Sequence, residues 1–489
     1  MLGIEADLSG LVSIGTNTCL ASSGFFVSAN CRSEPNASAT VTPRIGYAID
    51  PQQRTLLYIK GGFAAVHDHI DIASNAILGP GTDASGNVWK AGWTAGAGVE
   101  RALTPAWSLR LEYDYLGFGH SNVATPISFL QVVPDDAAGY VQTPAGTTSI
   151  SQNVQEVKFG LNYRFGVDPW ARWADMPQVP IASAAWTPTA APVAWFAGWE
   201  LEAGVRYWYS SGKFQKDLGG TTSAANANVL VSRLTYDSIA NSGEIFTRIE
   251  SPDRMFVKGF VGAGALSSGH MNDEDWLIFG ETVPYSNTIS NPVTGTISYA
   301  TGDIGYDALR AADYRLGAFV GYNYYRDKKD AYSCVQIANA FSDCVPAIPD
   351  NQLGISENDT WNSLRVGVNG DVMLLPGLRL NADAAVLPYT QFSGVDTHCL
   401  RTDVSNQNST ETGHGIGVQL DAILSYYITP AFNVGAGGRY WAMWTNDNAY
   451  TNAFGTPCPC QTLPAKTERY GLLVQADYKF DMLDALAAR

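Results

Sequence analysis

Two short polar segments of this 489-residue chain carry side chains whose types and spacing could perform acid–base chemistry. The first contains Asp273 and Asp275, and the second contains Asp396 and His398. Residues at i and i+2 of an extended backbone point to the same side, so each pair can act together. A histidine held by a carboxylate can act as a general base on water, and two facing carboxylates can hold that water and share a proton. The alternative is that both segments are solvated acidic surface, which is the usual state of loop residues.

The elements that must position these segments are indicated by apolar residues that alternate with polar ones. Most of the alternating runs are more than twice as long as an ordinary strand of about 5–6 residues, and tight turns alternate with long polar loops. This pattern is typical of a transmembrane β-barrel of outer-membrane type. The number of predicted strands depends on whether 229–250 is one strand, as we take it to be, or is broken in two at Gly243. The C-terminal part of the chain then contains ten predicted strands, the even number that closed bacterial barrels prefer: 197–211, 229–250, 255–269, 296–310, 314–330, 361–374, 378–392, 415–428, 431–444 and 468–480.

The predicted strand 229–250 is longer than a membrane crossing requires. At about 3.3 Å per residue it spans about 70 Å, and at a tilt of about 45° it rises about 50 Å, against an apolar bilayer core of about 30 Å. We therefore expect the barrel to project beyond the bilayer on its long-loop side. Both polar segments follow predicted strands at that end, so they belong to an external rim.

The composition excludes several classes of protein. Thirty basic residues against 46 acidic ones give a net charge of −16, so a nucleic-acid partner is not expected. Charged residues make up 16% and aromatic residues 11%, the reverse of the pattern in disordered chains. No apolar run reaches the length of about 20 residues that a membrane helix needs.

The seven cysteines lie in polar, turn-rich segments and lack the paired spacing of a zinc site. Two pairs could each close a short loop, and another disulfide could join one of the last two cysteines to Cys399. Such bonds fit a protein outside the cytoplasm, and the odd number leaves one thiol unexplained. The two pairs are Cys19–Cys31 and Cys334–Cys344, and the last two cysteines are Cys458 and Cys460.

The first 167 residues show the same alternation but predict only six strands, fewer than the eight of the smallest closed barrels. Residues 168–195 are rich in Pro and Ala and indicate a linker. The predicted organisation is all-β: a small, incomplete barrel module (1–167), the linker, a ten-stranded transmembrane antiparallel β-barrel (196–480) and a tail (481–489). The six predicted strands of the first module are 2–10, 39–49, 54–66, 89–101, 106–117 and 154–165.

Residues 196–480 resemble the omptin family, ten-stranded outer-membrane proteases. The segment 268–276, Ser-Gly-His-Met-Asn-Asp-Glu-Asp-Trp, is similar to the family's Met-x-Asp-x-Asp-Trp. Residues 313–322 are similar to its Tyr-Arg-Leu-Gly…Gly-Tyr strand, and 396–398 to its Asp-x-His pair. The resemblance implies an aspartyl endopeptidase that needs no cofactor, no metal and no covalent intermediate. His398 would be the general base, Asp396 would orient it, and Asp273 with Asp275 would position the attacking water.

Two positions depart from the family's pattern. Its preference for basic residues at the cleavage point depends on acidic pocket residues, which are replaced here by Lys216 and Gly394. We therefore expect weak or no preference for Arg or Lys. The family also has a lipopolysaccharide site on its outer wall, where Tyr322 and Arg326 match two positions and Tyr324 replaces an acidic one. The resemblance implies outer-membrane lipid, lipopolysaccharide and peptide or protein substrates as partners, with lipopolysaccharide needed for activity.

The first 167 residues resemble a different family, the small eight-stranded outer-membrane surface proteins. The resemblance lies in four segments, 2–8, 92–100, 107–113 and 160–165. That family has a signal peptide and two strands ahead of the first of these segments, so we expect this chain to be truncated at its N-terminus. This resemblance implies no enzymatic activity.

The sequence therefore predicts a protein of the Gram-negative outer membrane with a peptidase site at an external rim. The competing hypothesis is a non-catalytic surface barrel, either a porin or an adhesin. A close approach of the Asp273/Asp275 pair to His398 would favour the enzyme, and an open polar lumen would favour the pore.

Overall fold

The computed structural model describes most of the chain: residues 1–11, 13–22, 27–50, 52–74, 83–125, 128–131, 140–143, 146–166, 198–219, 230–275, 286–311, 313–338, 344–404, 406–446, 449–452 and 461–481. The predicted linker 168–195, residues 482–489 of the predicted tail, and Cys458 and Cys460 lie outside these ranges. Among the described residues, no helix is long and apolar enough to cross a membrane.

The N-terminal part forms an antiparallel sheet in which six long strands follow the order β1-β3-β4-β5-β6-β9, and β2 pairs with β3. The six predicted strands are all present. The first has the predicted bounds and the other five are longer than predicted, whereas β2 and the small hairpin β7–β8 were not predicted. The strands are β1 (Leu2–Gly10), β2 (Gly15–Ser22), β3 (Val27–Ala48), β4 (Thr55–Ser74), β5 (Asp83–Ala102), β6 (Trp107–Thr125), β7 (Ser128–Gln131), β8 (Tyr140–Thr143) and β9 (Gly146–Tyr163).

This N-terminal sheet is curled around a charged interior. Lys60 is buried between Glu112 and Asp114, at 2.7 and 3.0 Å, and Lys158 on β9 lies 3.7 Å from Asp7 on β1. Within the described ranges, however, β1 and β9 share no backbone pairing, so the sheet has two edges. A sheet with open edges agrees with the prediction of an incomplete barrel.

The C-terminal part is a closed antiparallel barrel. Ten long strands each pair with two neighbours, and the first and last, β10 and β22, pair with each other over 17 positions, which closes the ring. The ten-stranded prediction is confirmed. The strands are β10 (Glu200–Gly219), β11 (Leu230–Glu250), β12 (Met255–Asp275), β14 (Val293–Arg310), β15 (Tyr314–Gln336), β16 (Ile348–Leu375), β17 (Leu378–His398), β18 (Asn408–Tyr427), β19 (Phe432–Thr445) and β22 (Ala465–Asp481), with the short strands β13 (Ser286–Ser290), β20 (Tyr450–Asn452) and β21 (Gln461–Thr462) near the rim. Gly243 does not interrupt β11, because it pairs with β10 and β12 on either side.

Alternation along these strands separates an apolar outer wall from a filled lumen. Val205, Val261 and Val474 are among the exposed outer residues. Inside, Trp208 and Trp441 pack with ring centroids 5.2 Å apart. Burying these rings against one another removes a large apolar area from water and fills the cross-section, so this part of the lumen is a packed core and not an open pore.

The strands continue well past the apolar outer band. On β10 the exposed aromatic residues end at Tyr209, and the strand runs on to Gly219. At about 3.3 Å per residue and a tilt of about 45°, a residue seven positions beyond Tyr209 lies about 16 Å above this level along the membrane normal. The strands at the long-loop end therefore run beyond the apolar band, and the projection of this end from the bilayer stays a prediction.

The two sheets touch at both ends of the barrel. At the external end, Gln215 donates a hydrogen bond to Thr16 at 2.7 Å, and Arg233 donates one to Asn30 at 2.8 Å. At the opposite end, Arg101 lies 2.8 Å from Asp313 in the β14–β15 turn. The N-terminal sheet therefore lies along the outer side of the barrel and reaches its rim.

The cysteines agree with the predictions in part. Cys334 and Cys344 form a disulfide, as expected. Cys31 is also disulfide-bonded. The side chain of Cys19 does not belong to the part of the chain that the structure describes. The prediction for Cys399 is wrong, because its thiol is free.

Candidate active site at the long-loop end of the barrel

The Asp396–His398 pair lies at the external end of β17. Both side chains are on the face of Phe392, which is fully buried in the lumen, so the pair points inward. His398 Nε2 is 3.0 Å from Asp396 Oδ2. The side chain of His398 retains 24% exposure, whereas that of Asp396 has 5%, so water can reach the imidazole while the carboxylate is held behind it.

Asp273 and Asp275 are in strand β12, and the prediction that they follow a strand ending at 269 is wrong. The reason is a β-bulge: Leu266 pairs with Ala240 and Ser268 with Ile239, which leaves Ser267 as an extra residue. An extra residue reverses which side chains face inward, so odd-numbered residues face the lumen beyond this point. The bulge turns both carboxylates towards the lumen, on the same face as the buried Met271.

Tyr236 lies near a carboxylate of each predicted pair. Burial raises its pKa well above the ordinary value, and the carboxylates of Glu357, Asp396 and Asp273 raise it further. Two carboxylates that act on one hydroxyl must lie in the same part of the lumen. The structure therefore brings the segment of Asp273 and the segment of Asp396 to one region of the lumen. Asp275 lies one inward position further along β12, opposite Ser232.

Sequence reasoning named Lys216 only as a replaced pocket residue and missed its contacts with the dyad and with Glu357 and Glu411. Lys216 is fully buried on β10 and donates to Asp396 Oδ2 at 2.8 Å, to Glu411 Oε1 at 2.7 Å, and to Glu357. Lys216 and His398 thus share one carboxylate oxygen. The acidic partners come from β16, β17 and β18, and no local spacing connects them to Lys216.

A second buried lysine lies next to this group. Lys329 is 2.6 Å from Asp359 and 2.9 Å from Asp327. A usable sequence signal existed here, because Glu357 with Asp359 and Asp327 with Lys329 are i, i+2 pairs that face the same way. Asp327 and Lys329 fall at the end of the predicted strand 314–330, and Glu357 and Asp359 come just before the predicted strand 361–374. We call these seven residues the rim cluster: Lys216, Asp327, Lys329, Glu357, Asp359, Asp396 and Glu411.

The charges set the protonation of the dyad. Burial acts to lower the pKa of His398, but the Asp396 carboxylate outweighs it and raises that pKa above its ordinary value. Burial acts to raise the pKa of Asp396, yet His398 and Lys216 hold it well below the usual range. Asp396 is therefore a carboxylate at neutral pH, able to orient the ring and stabilise its cation. Burial and the Glu357 carboxylate raise the pKa of both Asp359 and Glu411 well above normal.

The residues predicted to bind lipopolysaccharide lie on the outer wall. Tyr322 is 53% exposed next to the exposed Val320, and Arg326 is exposed further along β15. Arg326 Nε donates to Asn358 Oδ1 at 2.9 Å, which orients its guanidinium. These side chains stand at the external edge of the apolar band.

Comparison with known proteins gives two family matches. Residues 243–456 match the Omptin family, and residues 2–165 match the outer membrane protein beta-barrel domain. The resemblance expected for each half is thereby confirmed, and the chain is a protein of the Gram-negative outer membrane.

Individual proteins are similar to parts of the chain. The 31 kDa outer-membrane immunogenic proteins of Brucella melitensis and Brucella suis are each 31% identical over 171 residues, which is 34% of this chain and 59% of theirs. The chain therefore spans less than two thirds of the length of these relatives. Among solved structures, the outer membrane protease OmpT from Escherichia coli has a TM-score of 0.47 at 16% identity, covering 57% of this chain and 97% of that protein.

Proposed function

We propose that this outer-membrane protein, whose C-terminal barrel carries the omptin match, is an endopeptidase that hydrolyses peptide bonds at its external rim. The observation that carries the proposal is the inward-facing dyad of His398 and Asp396, 3.0 Å apart, in the same region of the lumen as Asp273. Activation of water by a general base requires at least an imidazole that water can reach and a carboxylate that orients it.

The geometry suggests how each group acts. With Nε2–H donated to Asp396, the Nδ1 atom of His398 carries the lone pair that takes a proton from water as the oxygen attacks the peptide carbonyl. Asp396 stabilises the resulting imidazolium. The imidazolium then gives the proton to the departing amine nitrogen, which leaves a free carboxylate and a free amine. Asp273 and Asp275 would hold the water in line, and no metal or covalent intermediate takes part.

Lys216 affects which substrate side chains the proposed enzyme accepts at the cleavage point. Its ammonium is already bound to three carboxylates of the rim cluster, at a position where the sequence resemblance implies an acidic pocket residue. A basic substrate side chain entering this region would have to compete with this ammonium for the same carboxylates. We therefore propose that the enzyme does not select Arg or Lys at the cleavage point.

The outer wall supplies the proposed lipid partner. Tyr322 and Arg326, with the half-exposed Lys328 beyond them, offer aromatic and cationic contacts to the phosphorylated head of lipopolysaccharide. We propose that lipopolysaccharide binds here and is required for full activity. Peptides or proteins outside the cell are the proposed substrates, and the net charge of −16 opposes any nucleic-acid partner.

The alternative function is a non-catalytic surface barrel. The packed rings of Trp208 and Trp441 oppose a porin, because they occupy the lumen that a pore would need open. An adhesin is compatible with such a lumen, so only an activity measurement separates it from the enzyme.

The test uses a fluorogenic peptide library and the full chain refolded with lipopolysaccharide. His398→Ala should lower turnover by roughly 10²–10⁴-fold, the usual effect of losing a general base. The matched control is His414→Ala, since His414 is an exposed histidine on the outer face of the neighbouring strand β18. Full activity in the His398→Ala protein, or no cleavage of any peptide by the unaltered protein, would reject the proposal.

A further inference from the structure

The rim cluster carries more negative than positive charge. Its five carboxylates belong to Asp327, Glu357, Asp359, Asp396 and Glu411, and its two ammonium groups belong to Lys216 and Lys329. When all are ionised, three negative charges remain uncompensated. All seven side chains are nearly or fully buried. Because an uncompensated buried charge is costly, the cluster must either take up protons or bind a further positive group.

Three oxygens of this cluster show where that partner would bind. Glu357 Oε1, Asp359 Oδ1 and Glu411 Oε2 are buried and have no hydrogen-bond partner within the described part of the chain. The three carboxyl groups approach closely, since one oxygen from each lies within 4.8 Å of the others. A buried oxygen without a donor loses its hydration and gains nothing in return, which typically costs about 1–3 kcal/mol or more when it is charged.

A glycine leaves the space that these oxygens face. Gly394 lies on β17 between β16 and β18, and a Cβ placed on it would meet both Asp359 Oδ1 and Glu411 Oε2 at 2.8 Å. Two of the unpartnered oxygens therefore converge on one gap above this residue. The gap would be partly filled by any other amino acid.

An unpartnered hydroxyl borders the same region. Tyr236 is fully buried, and its hydroxyl has no hydrogen-bond partner in the described ranges. Lys329 lies 5.7 Å from the centre of its ring and bonds to Asp359, which places Tyr236 beside the cluster. This neutral side chain is independent of the acidic cluster and also indicates an additional bound group.

We propose that Glu357, Asp359 and Glu411 bind a hard divalent cation, with Ca²⁺ as the best fit. The donors are all oxygens, without the sulfur or imidazole ligands that select zinc or copper. Ca²⁺ takes oxygen ligands at about 2.3–2.6 Å, so carboxylates on opposite sides of the ion stand about 4.6–5.2 Å apart, which suits the observed spacing. One such ion lowers the excess charge of the rim cluster from three to one.

The cation would have a structural role. Glu357 and Asp359 belong to β16, Glu411 belongs to β18, and β17 with the dyad runs between them. An ion bound by all three carboxylates would link β16 to β18 across β17 and hold the external end of β17 in place. This site takes no part in the proposed attack on the peptide bond, and its binding can be measured without substrate.

The experiment is calcium titration calorimetry on the full chain, refolded in detergent free of lipopolysaccharide, because lipopolysaccharide phosphates themselves bind divalent cations. The unaltered protein should bind one Ca²⁺ with a dissociation constant on the order of 10⁻⁴ M, as calcium sites exposed to the cell exterior do. Mg²⁺ should bind more weakly, since it demands tighter octahedral geometry.

Two variants and one control decide the outcome. Gly394→Ala fills the gap without changing any charge, and Glu411→Gln removes one charged ligand at constant volume; each should weaken calcium binding at least about tenfold. Asp403→Asn, an acidic residue exposed at 63% in an external loop, should leave it unchanged. If Gly394→Ala does not fold, Glu411→Gln alone decides. Absence of binding at millimolar calcium, or binding that survives in the folded variants, would overturn the proposal.

Discussion

Replacing Lys216 by methionine should move the acidic limb of the pH–activity profile to higher pH. Methionine keeps the length of the side chain and removes its charge. Lys216 Nζ and His398 Nε2 lie 2.8 and 3.0 Å from the same oxygen of Asp396. The lysine therefore opposes protonation of the imidazole, and its removal favours the imidazolium, which cannot act as a base.

The size of the shift follows from the distance between the two nitrogens. The two hydrogen bonds add to 5.8 Å, which is the largest separation they allow. Two unit charges at that distance interact by about 0.7 kcal/mol in water and about 3 kcal/mol at an effective dielectric constant of 20. Since one pKa unit corresponds to about 1.4 kcal/mol, the pKa of His398 should rise by about 0.5 to 2 units.

The direction of this pKa shift follows from the groups around the imidazole ring of His398. Asp396 raises the pKa of His398, whereas burial, Lys216 and Arg401 lower it. The free base that activates water exists above this pKa and is lost as the pH falls through it. Without Lys216 the pKa of His398 is higher, so the free base is lost at a higher pH. Asp396→Asn removes the raising group and should move the limb in the opposite direction, with lower turnover.

Two measurements test this shift. The first is the profile of kcat/KM against pH at a fixed calcium concentration. The second is an NMR titration of ring-labelled His398 in detergent, which reports the pKa even if no peptide is cleaved. The matched control is Lys213→Met, on the same strand but on its outer face. An unchanged or lower pKa in a folded Lys216→Met protein, judged by its heat-sensitive gel mobility, would refute the reasoning.

Three further outcomes are expected. A peptide library should show no strong preference for Arg or Lys at the cleavage point, and selective cleavage between paired basic residues would contradict the role of Lys216 as the bound cation. Asp273→Asn and Asp275→Asn should each reduce turnover by about 10²-fold or more through a misplaced water, without loss of the folded gel band. Residues 1–167 expressed alone should not form a heat-stable barrel, because open sheet edges in lipid leave backbone groups unsatisfied at several kcal/mol each; a detergent-stable, heat-resistant monomer would show the opposite.

The sequence by itself determined the strands and the local pairs. A side chain of a strand must face either lipid or lumen, so alternation along the chain indicates each strand of the barrel. The i, i+2 geometry of Asp396 and His398 is equally local, which is why their spacing predicted a dyad and the structure has them 3.0 Å apart. Strand ends were underestimated, because the alternation weakens where both faces meet water although the backbone pairing continues.

Only the tertiary structure decided what surrounds the dyad. The bulge at Ser267 turned Asp273 inward, and a bulge depends on the register with the neighbouring strand, which no single strand encodes. Lys216 meets Glu411 across a sequence separation of 195 residues. Such a contact exists only once the ring of strands has closed, because closure and shear set which side chains share a level of the lumen. Local patterns therefore predicted the geometry of the candidate dyad, and barrel closure determined the charges that surround it.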